Sequence, residues 1–469
     1  MTRFCRSHRE TGREHAVKCV LSGLSIILGG CSQIETVLDE IGEPTLSPHE
    51  AYVVSLERAG LQGTPLATQW REAAIAAVRH PLSIDPPFRE AVFYPGDDPT
   101  ATAYIVSIKR GQSLQAILDM QPTDTTGIFL DVFQRSPDGS LTHIASAARG
   151  SRHIEFEPNK GGTFVLRVQP ELLRSVRVTL SVLRAATLAF PVQGRHMHDI
   201  GGRFGAPREG GRRSHDGIDV FAPRGTPVVA STDARVSRVR ETKMGGRVVW
   251  LRDEKRRHSL YYAHLDRQFV ESGQMVRVGD TLGLVGNTGN ARRTPPHLHF
   301  GIYARGEGPL DPFAFVDPPP KRLPEVPVDS MWLGSWVRLG TDARVEIADN
   351  KVVKLESTDQ DRPDRPADLA LIPRHTVVRV ISVNRHNLQV LLPDGGLVSL
   401  KRASLESIEA PIDHVVLKSG QSILSRPDPE AAETLELESG KSVPVWGRYG
   451  SYRLVSPIPG IDGWVSTPG

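Results

Sequence analysis

Glycine and proline interrupt this chain so often that long helices are disfavoured over most of it: 43 glycines and 36 prolines are spread through 469 residues. Glycine loses the most backbone freedom on entering a helix. Proline removes a donor and clashes with the preceding turn, so both end regular runs. Between them stand short stretches rich in valine, isoleucine and threonine, bounded by turn residues. The pattern predicts a mainly β, multidomain chain of short strands, with a length that suggests about three domains.

Cysteine narrows the chemistry further. The three thiols are Cys5, Cys19 and Cys31, and none follows. A disulfide framework or thiolate metal site in the body is therefore excluded, which leaves histidine, carboxylate and hydroxyl groups. The net charge of +3 resides in the first 30 residues, where Arg3, Arg6, Arg9, Arg13 and Lys18 outnumber Glu10 and Glu14. The remainder is balanced. A neutral body carries no electrostatic footprint for nucleic acid, so that class of partner is not expected.

The basic leader precedes a short apolar run over 20–28, too short to span a bilayer as a helix. It ends in Leu28-Gly29-Gly30-Cys31, which resembles the lipobox of bacterial lipoproteins. The resemblance implies a signal peptide over 1–30, cleavage before Cys31 and lipid on that cysteine. Because Ser32 follows, and not the aspartate of inner-membrane retention, it also implies a cell-envelope protein, lipid-anchored in the outer membrane and facing the periplasm.

After a tether over 31–46, a helical pair is expected over 47–92. Ser47-Pro48 opens its first helix and Thr64-Pro65 its second, with a polar cap before a proline in each case. Strand-like runs at 104–108, 128–133, 154–156, 163–168 and 176–182, separated by glycine turns, predict a β-sandwich over 93–188. Pro318-Pro319-Pro320 marks an extended linker over 317–330. Two β-rich segments follow, at 331–409 and 410–469. Each runs from a turn through a valine-rich strand and a second strand to a glycine and a closing strand. They resemble bacterial SH3-like barrels, the first divergent.

The chemistry lies between His215 and His299. His215-Asp216-Gly217-Ile218-Asp219 places an imidazole and a carboxylate four apart, Tyr261-Tyr262-Ala263-His264-Leu265 ends an apolar strand in a histidine, and His297-Leu298-His299 holds two histidines two apart. Even offsets on a strand share a face, so His297 and His299 look into one cavity. Catalytic zinc takes three nitrogen or oxygen ligands and keeps one position open. His215, Asp219 and one of the 297/299 pair would supply them. The remaining histidine and His264 suit proton transfer and charge stabilisation.

These three ordered blocks, with Phe300-Gly301 after the last, resemble the lysostaphin/LytM-type zinc endopeptidases. The connecting segments 222–228, 278–280 and 286–289 agree with the family as well. The match covers about 190–316, and a peptidase domain is expected over 189–316. The resemblance implies Zn2+ bound by His215, Asp219 and His299, with His264 and His297 as catalytic histidines. It further implies that the substrate is peptidoglycan, cut at peptide cross-links or stem peptides. A tyrosine that some members carry upstream of the first ligand has no counterpart in 203–214.

Two other readings compete. Members that have lost ligands act as non-catalytic envelope proteins that bind wall or activate another hydrolase, and an envelope regulatory protein is a possible partner in either case. The hairpins also occur in lipoyl-type carrier domains, but no lysine stands at a suitable tip. Of the other histidines, His196-Met197-His198 reads as a loop pair, His258 as exposed, and His375, His386 and His414 as structural parts of the barrels.

Overall fold

A computed structural model describes residues 46–121, 127–319, 322–326, 332–345, 371–400, 404–418, 421–436, 439–458 and 461–467. The expected leader over 1–30 and the Cys31 attachment site lie outside the described residues, as does the tether up to residue 45.

Two helices come first, Pro48–Arg58 and Pro65–Arg79. The second starts as its sequence requires: Thr64 accepts from the Ala67 amide and Pro65 occupies the first turn. Its inner face carries Ala67, Trp70 and Ala74, all buried. The Trp70 indole donates to the Pro170 carbonyl at 2.8 Å, Gln169 donates to the Trp70 carbonyl at 2.7 Å, and the His49 ring stacks on Trp70 at 4.7 Å. Trp70 thus has both an apolar seat and a partner for its N–H, which is what lets a tryptophan be fully enclosed.

These helices cover a sheet whose strands run in the order Leu82–Ser83, Thr102–Ile108, Gly162–Pro170, Ile128–Arg135, Leu141–Ser146. A second sheet faces it, and the two bury Tyr104, Leu114, Leu130, Phe164, Leu166, Leu180 and Val182 between them. Val176, Val178, Leu180 and Val182 alternate inward along one strand, the two-residue period of a half-buried sheet.

The second sheet does not stop at the sandwich. Strand Phe88–Tyr94 pairs on one side with Val176–Ala186 and on the other with Val377–Asn384. Strands from the segment expected as a separate barrel over 331–409 therefore continue the sandwich's own sheet. The expected boundary at 92/93 also falls inside a strand. Glu90 lies at the junction and is 2% exposed. It accepts from Tyr104 Oη at 2.7 Å, Ser382 Oγ at 2.9 Å and Asn384 Nδ2 at 3.3 Å. Burial pushes its carboxyl up, opposed by those three hydrogen bonds. Glu90→Ala would strand buried donors from both segments. It is expected to destabilise the chain by about 1–3 kcal/mol in urea unfolding; unchanged stability would show that the junction does not depend on this carboxyl. A chain ending at Pro318 would likewise lose the ladder partners of Phe88–Tyr94.

Residues 200–310 contribute a ten-stranded sheet. His258–Gln268 runs between Gly246–Asp253 and His297–Ala304, and Ile218–Phe221 lies beyond the latter. Ile218, Val220, Leu260, Tyr262, Leu298, Phe300 and Ile302 form the core behind this sheet, each 0% exposed. The sandwich docks on it through Arg110, which pairs with Glu307 at 2.6 Å and approaches His258 Nε2 at 3.3 Å. His258 was expected to be exposed and is 5% exposed instead. The reason is tertiary: Arg110 and the Phe315 ring cover it. Burial, then the Arg110 charge, lowers its pKa.

A six-stranded sheet of residues 413–466 closes the fold around Leu417, Ile423, Val443, Val445, Val455 and Val465. His375 sits where this sheet meets the preceding one, with Arg448 Nη2 at 3.2 Å from its Nδ1. His386 and His414 are on the surface.

Candidate active site

Four segments bring five side chains together. Asp219 and His299 are direct partners on adjacent antiparallel strands, so their side chains rise on the same face. His297 is two residues before His299 on that face, opposite Phe221. Leu298 between them points into the core, as the strand period demands. His215 precedes the strand. Its backbone is tied to the upstream loop by His215 N to Ala206 O at 3.0 Å and Gly205 N to His215 O at 2.8 Å. Gly217 permits the approach, since a Cβ there would lie 2.9 Å from the His299 ring and 2.3 Å from the Phe300 carbonyl.

His264 arrives differently. It has φ +65°, in the left-handed region that a residue with a Cβ rarely enters. The pairing of its strand with Gly246–Asp253 shifts register here, while its amide bonds to Gly245 O at 2.8 Å. Such a bulge re-aims a side chain. The His264 ring thereby faces His297 at 5.1 Å and His299 at 6.0 Å.

His215 Nε2 lies 3.0 Å from Asp219 Oδ1 and 2.9 Å from His299 Nδ1, and His299 Nδ1 lies 3.1 Å from Asp219 Oδ1. These three residues are the one cluster of at least three histidine, cysteine or acidic residues, among the described residues, that could hold a metal ion. Two imidazole nitrogens and a carboxylate oxygen around one point fit a divalent metal of the zinc type. His215 Nδ1 faces the Arg203 carbonyl at 2.8 Å. A carbonyl can only accept, so that nitrogen carries the proton and Nε2 turns its lone pair inward. The same logic applies to His264, whose Nδ1 donates to Thr288 O at 2.9 Å, and to His297, whose Nδ1 donates to Pro295 O at 2.8 Å. Both keep a free Nε2 acceptor.

The electrostatics agree with a neutral His264 and His299 and an ionised Asp219. Burial, reinforced by His297 and His299, holds His264 down at about 4. Burial also lowers His299. For Asp219 burial acts upward, but its close contacts with the His215 and His299 rings outweigh it and keep the carboxyl far below the usual range.

All five residues singled out from the sequence lie in this cluster. His196 and His198 do not: His196 precedes and His198 lies within the short turn Met197–Asp199, and the His198 side chain is 77% exposed. Besides the Arg203 and Pro295 carbonyls, three contributors went unrecognised in the sequence. They are Thr288, whose carbonyl orients His264, Gly202, and Arg208, whose Nη2 meets Asp219 Oδ2 at 2.6 Å. None of them belongs to a periodic pattern or a histidine block.

Residues 213–312 match the sequence model of Peptidase family M23. The chain is 34% identical over 169 residues to an uncharacterized metalloprotease of Haemophilus influenzae, covering 36% of this chain and 33% of that protein. It is 35% identical over 136 residues to the L-Ala–D-Glu endopeptidase of Bacillus subtilis, covering 27% and 41%. It is 33% identical over 112 residues to the peptidoglycan DD-endopeptidase ShyC of Vibrio cholerae, covering 24% and 23%. The chain thus spans less than half the length of each of these relatives.

Proposed function

From the match of residues 213–312 to Peptidase family M23, we propose that the chain is a zinc-dependent endopeptidase hydrolysing peptide cross-links or stem peptides of peptidoglycan in the cell envelope. The observation that carries this reading is the convergence of a three-donor set, His215, Asp219 and His299, with two imidazoles that present free Nε2 atoms beside it. The curated relatives named as endopeptidases, one of them of peptidoglycan, support the substrate class.

His215 Nε2, Asp219 Oδ1 and His299 Nδ1 would hold the metal. When bound, zinc lowers the pKa of a coordinated water towards about 7 and polarises the scissile carbonyl. The chain's own residues manage the protons. One of His264 and His297 accepts the proton of the attacking water at Nε2 and returns it to the departing amine. The other, once protonated at Nε2, steadies the negative charge that develops on the carbonyl oxygen. The Thr288 and Pro295 carbonyls keep both rings turned so that Nε2 faces the substrate.

The test is digestion of purified wall with sequencing of the released peptides. Peptides released by the zinc-loaded chain and suppressed by a chelator are expected. Wall that is bound but never cut would favour the non-catalytic binding or activating protein instead.

Cys31 is proposed as the acylated N-terminus, holding the protein at the outer membrane on its periplasmic side, because the basic leader and short apolar run end there. Labelled fatty acid should enter the protein and Cys31→Ala should prevent it; no label in the unaltered protein would remove the anchor. Residues 331–409, whose strands extend the sandwich sheet, and residues 410–469 are proposed as the two SH3-like segments.

A further inference from the structure

The two oxygens of Asp219 are used differently. Oδ1 faces His215 Nε2 at 3.0 Å and His299 Nδ1 at 3.1 Å, while Oδ2 points the other way and receives Arg208 Nη2 at 2.6 Å. Asp219 is 7% exposed, so the carboxylate end of the pair is withdrawn from water, while the Arg208 side chain is 35% exposed. An exposed ion pair contributes little because solvent screens it and two long side chains must be ordered. Here one partner is a short, enclosed carboxylate fixed on a strand, and the other reaches it from a short hairpin. Pro207–Arg208 pairs with Arg213–Ser214, and the loop is bound to His215 through Ala206 O, Gly205 N and the Arg203 carbonyl. One segment therefore contacts both His215 and Asp219.

A second position was left clear for this contact. Gly202 is the ladder partner of Asp219, and a Cβ at Gly202 would lie 2.4 Å from Asp219 Oδ2 and 2.8 Å from Arg208 Nη2. Only a residue without a side chain leaves room for the guanidinium and the carboxylate to meet.

We propose that Arg208 is a positioning residue for the metal ligand Asp219. By engaging Oδ2 it stops the carboxylate from swinging, and it presents Oδ1 alone to the point shared with His215 and His299. Partners of this outer kind orient a ligand and typically contribute tenfold to hundredfold in metal affinity. Gly202 serves the same arrangement by its missing side chain. The inference rests on the metal-binding part of the function proposed above and not on the identity of the substrate.

The experiment is zinc affinity of the full chain, measured by competition with a chromophoric chelator, together with the visible spectrum of the cobalt(II) form. Arg208→Gln is expected to bind zinc about tenfold to hundredfold more weakly and to shift the cobalt bands. Arg208→Lys should recover part of the affinity, since it restores the charge without the planar fork. Gly202→Ala should reproduce the loss with Arg208 intact. Unchanged affinity and an unchanged cobalt spectrum in Arg208→Gln would overturn the proposal, and so would a lower unfolding temperature with both metal readouts intact. An unaltered chain that binds no zinc would overturn this proposal and the metal reading together. Normal zinc binding without wall cleavage would count against the substrate alone and leave the Arg208 result standing.

Discussion

Asp219→Ala and His299→Ala are each expected to lose most of the bound zinc and to release peptides from purified wall at least about a hundredfold more slowly. The three donor atoms meet within 4.8 Å of one another, and no thiol in the body can replace a missing one. Removing either residue leaves two ligands for a metal that takes three and keeps a fourth position for water. Asp219→Ala also leaves Arg208 facing an empty place where its carboxylate partner stood. The measurement is metal content by elemental analysis beside cleavage, with a chelator-treated sample for comparison. His198→Ala is the control, because that side chain is exposed and outside the cluster. Full zinc retention in both ligand variants would remove this ligand set.

His264→Ala and His297→Ala are expected to keep near-normal zinc and to lose cleavage by at least about a hundredfold each. His297 Nε2 is 3.9 Å from Asp219 Oδ1, farther than the 3.1 Å of His299 Nδ1, which fits a group beside the ligand set better than one within it. His264 is held at about 4, so it is neutral near pH 7, and its Nδ1–H bond to the Thr288 carbonyl leaves the Nε2 lone pair open. Hydrolysis of a peptide bond needs both a base for the water and relief of charge on the carbonyl oxygen, so neither imidazole should be dispensable. Zinc lost from His297→Ala but kept in His299→Ala would exchange their roles. Normal cleavage in either histidine variant would take that residue out of the mechanism.

Some of this architecture was legible because it is local. A strand repeats every two residues, so His297-Leu298-His299 by itself puts two imidazoles on one face and a leucine in the core, where Leu298 is 0% exposed. The absence of cysteine after residue 31 by itself limited any metal site to nitrogen and oxygen donors. Proline after a capping threonine marked the start of the second helix to the residue. Other features depended on partners remote in the chain, which no local period reports. His264 acquires its direction from a left-handed turn at a register shift. His258 is buried because Arg110, 148 residues earlier, covers it. Glu90 is enclosed because Ser382 and Asn384 reach it from a strand nearly 300 positions away, joining two segments whose sequences look separate. Arg208 stands among several arginines of similar appearance, and only the chain's return past Gly202 selects it to meet Asp219. Backbone periodicity is set by the covalent chain, so sequence alone determined the faces. Burial and charge pairing are set by which surfaces meet, and that was decided only when the sheets closed on one another.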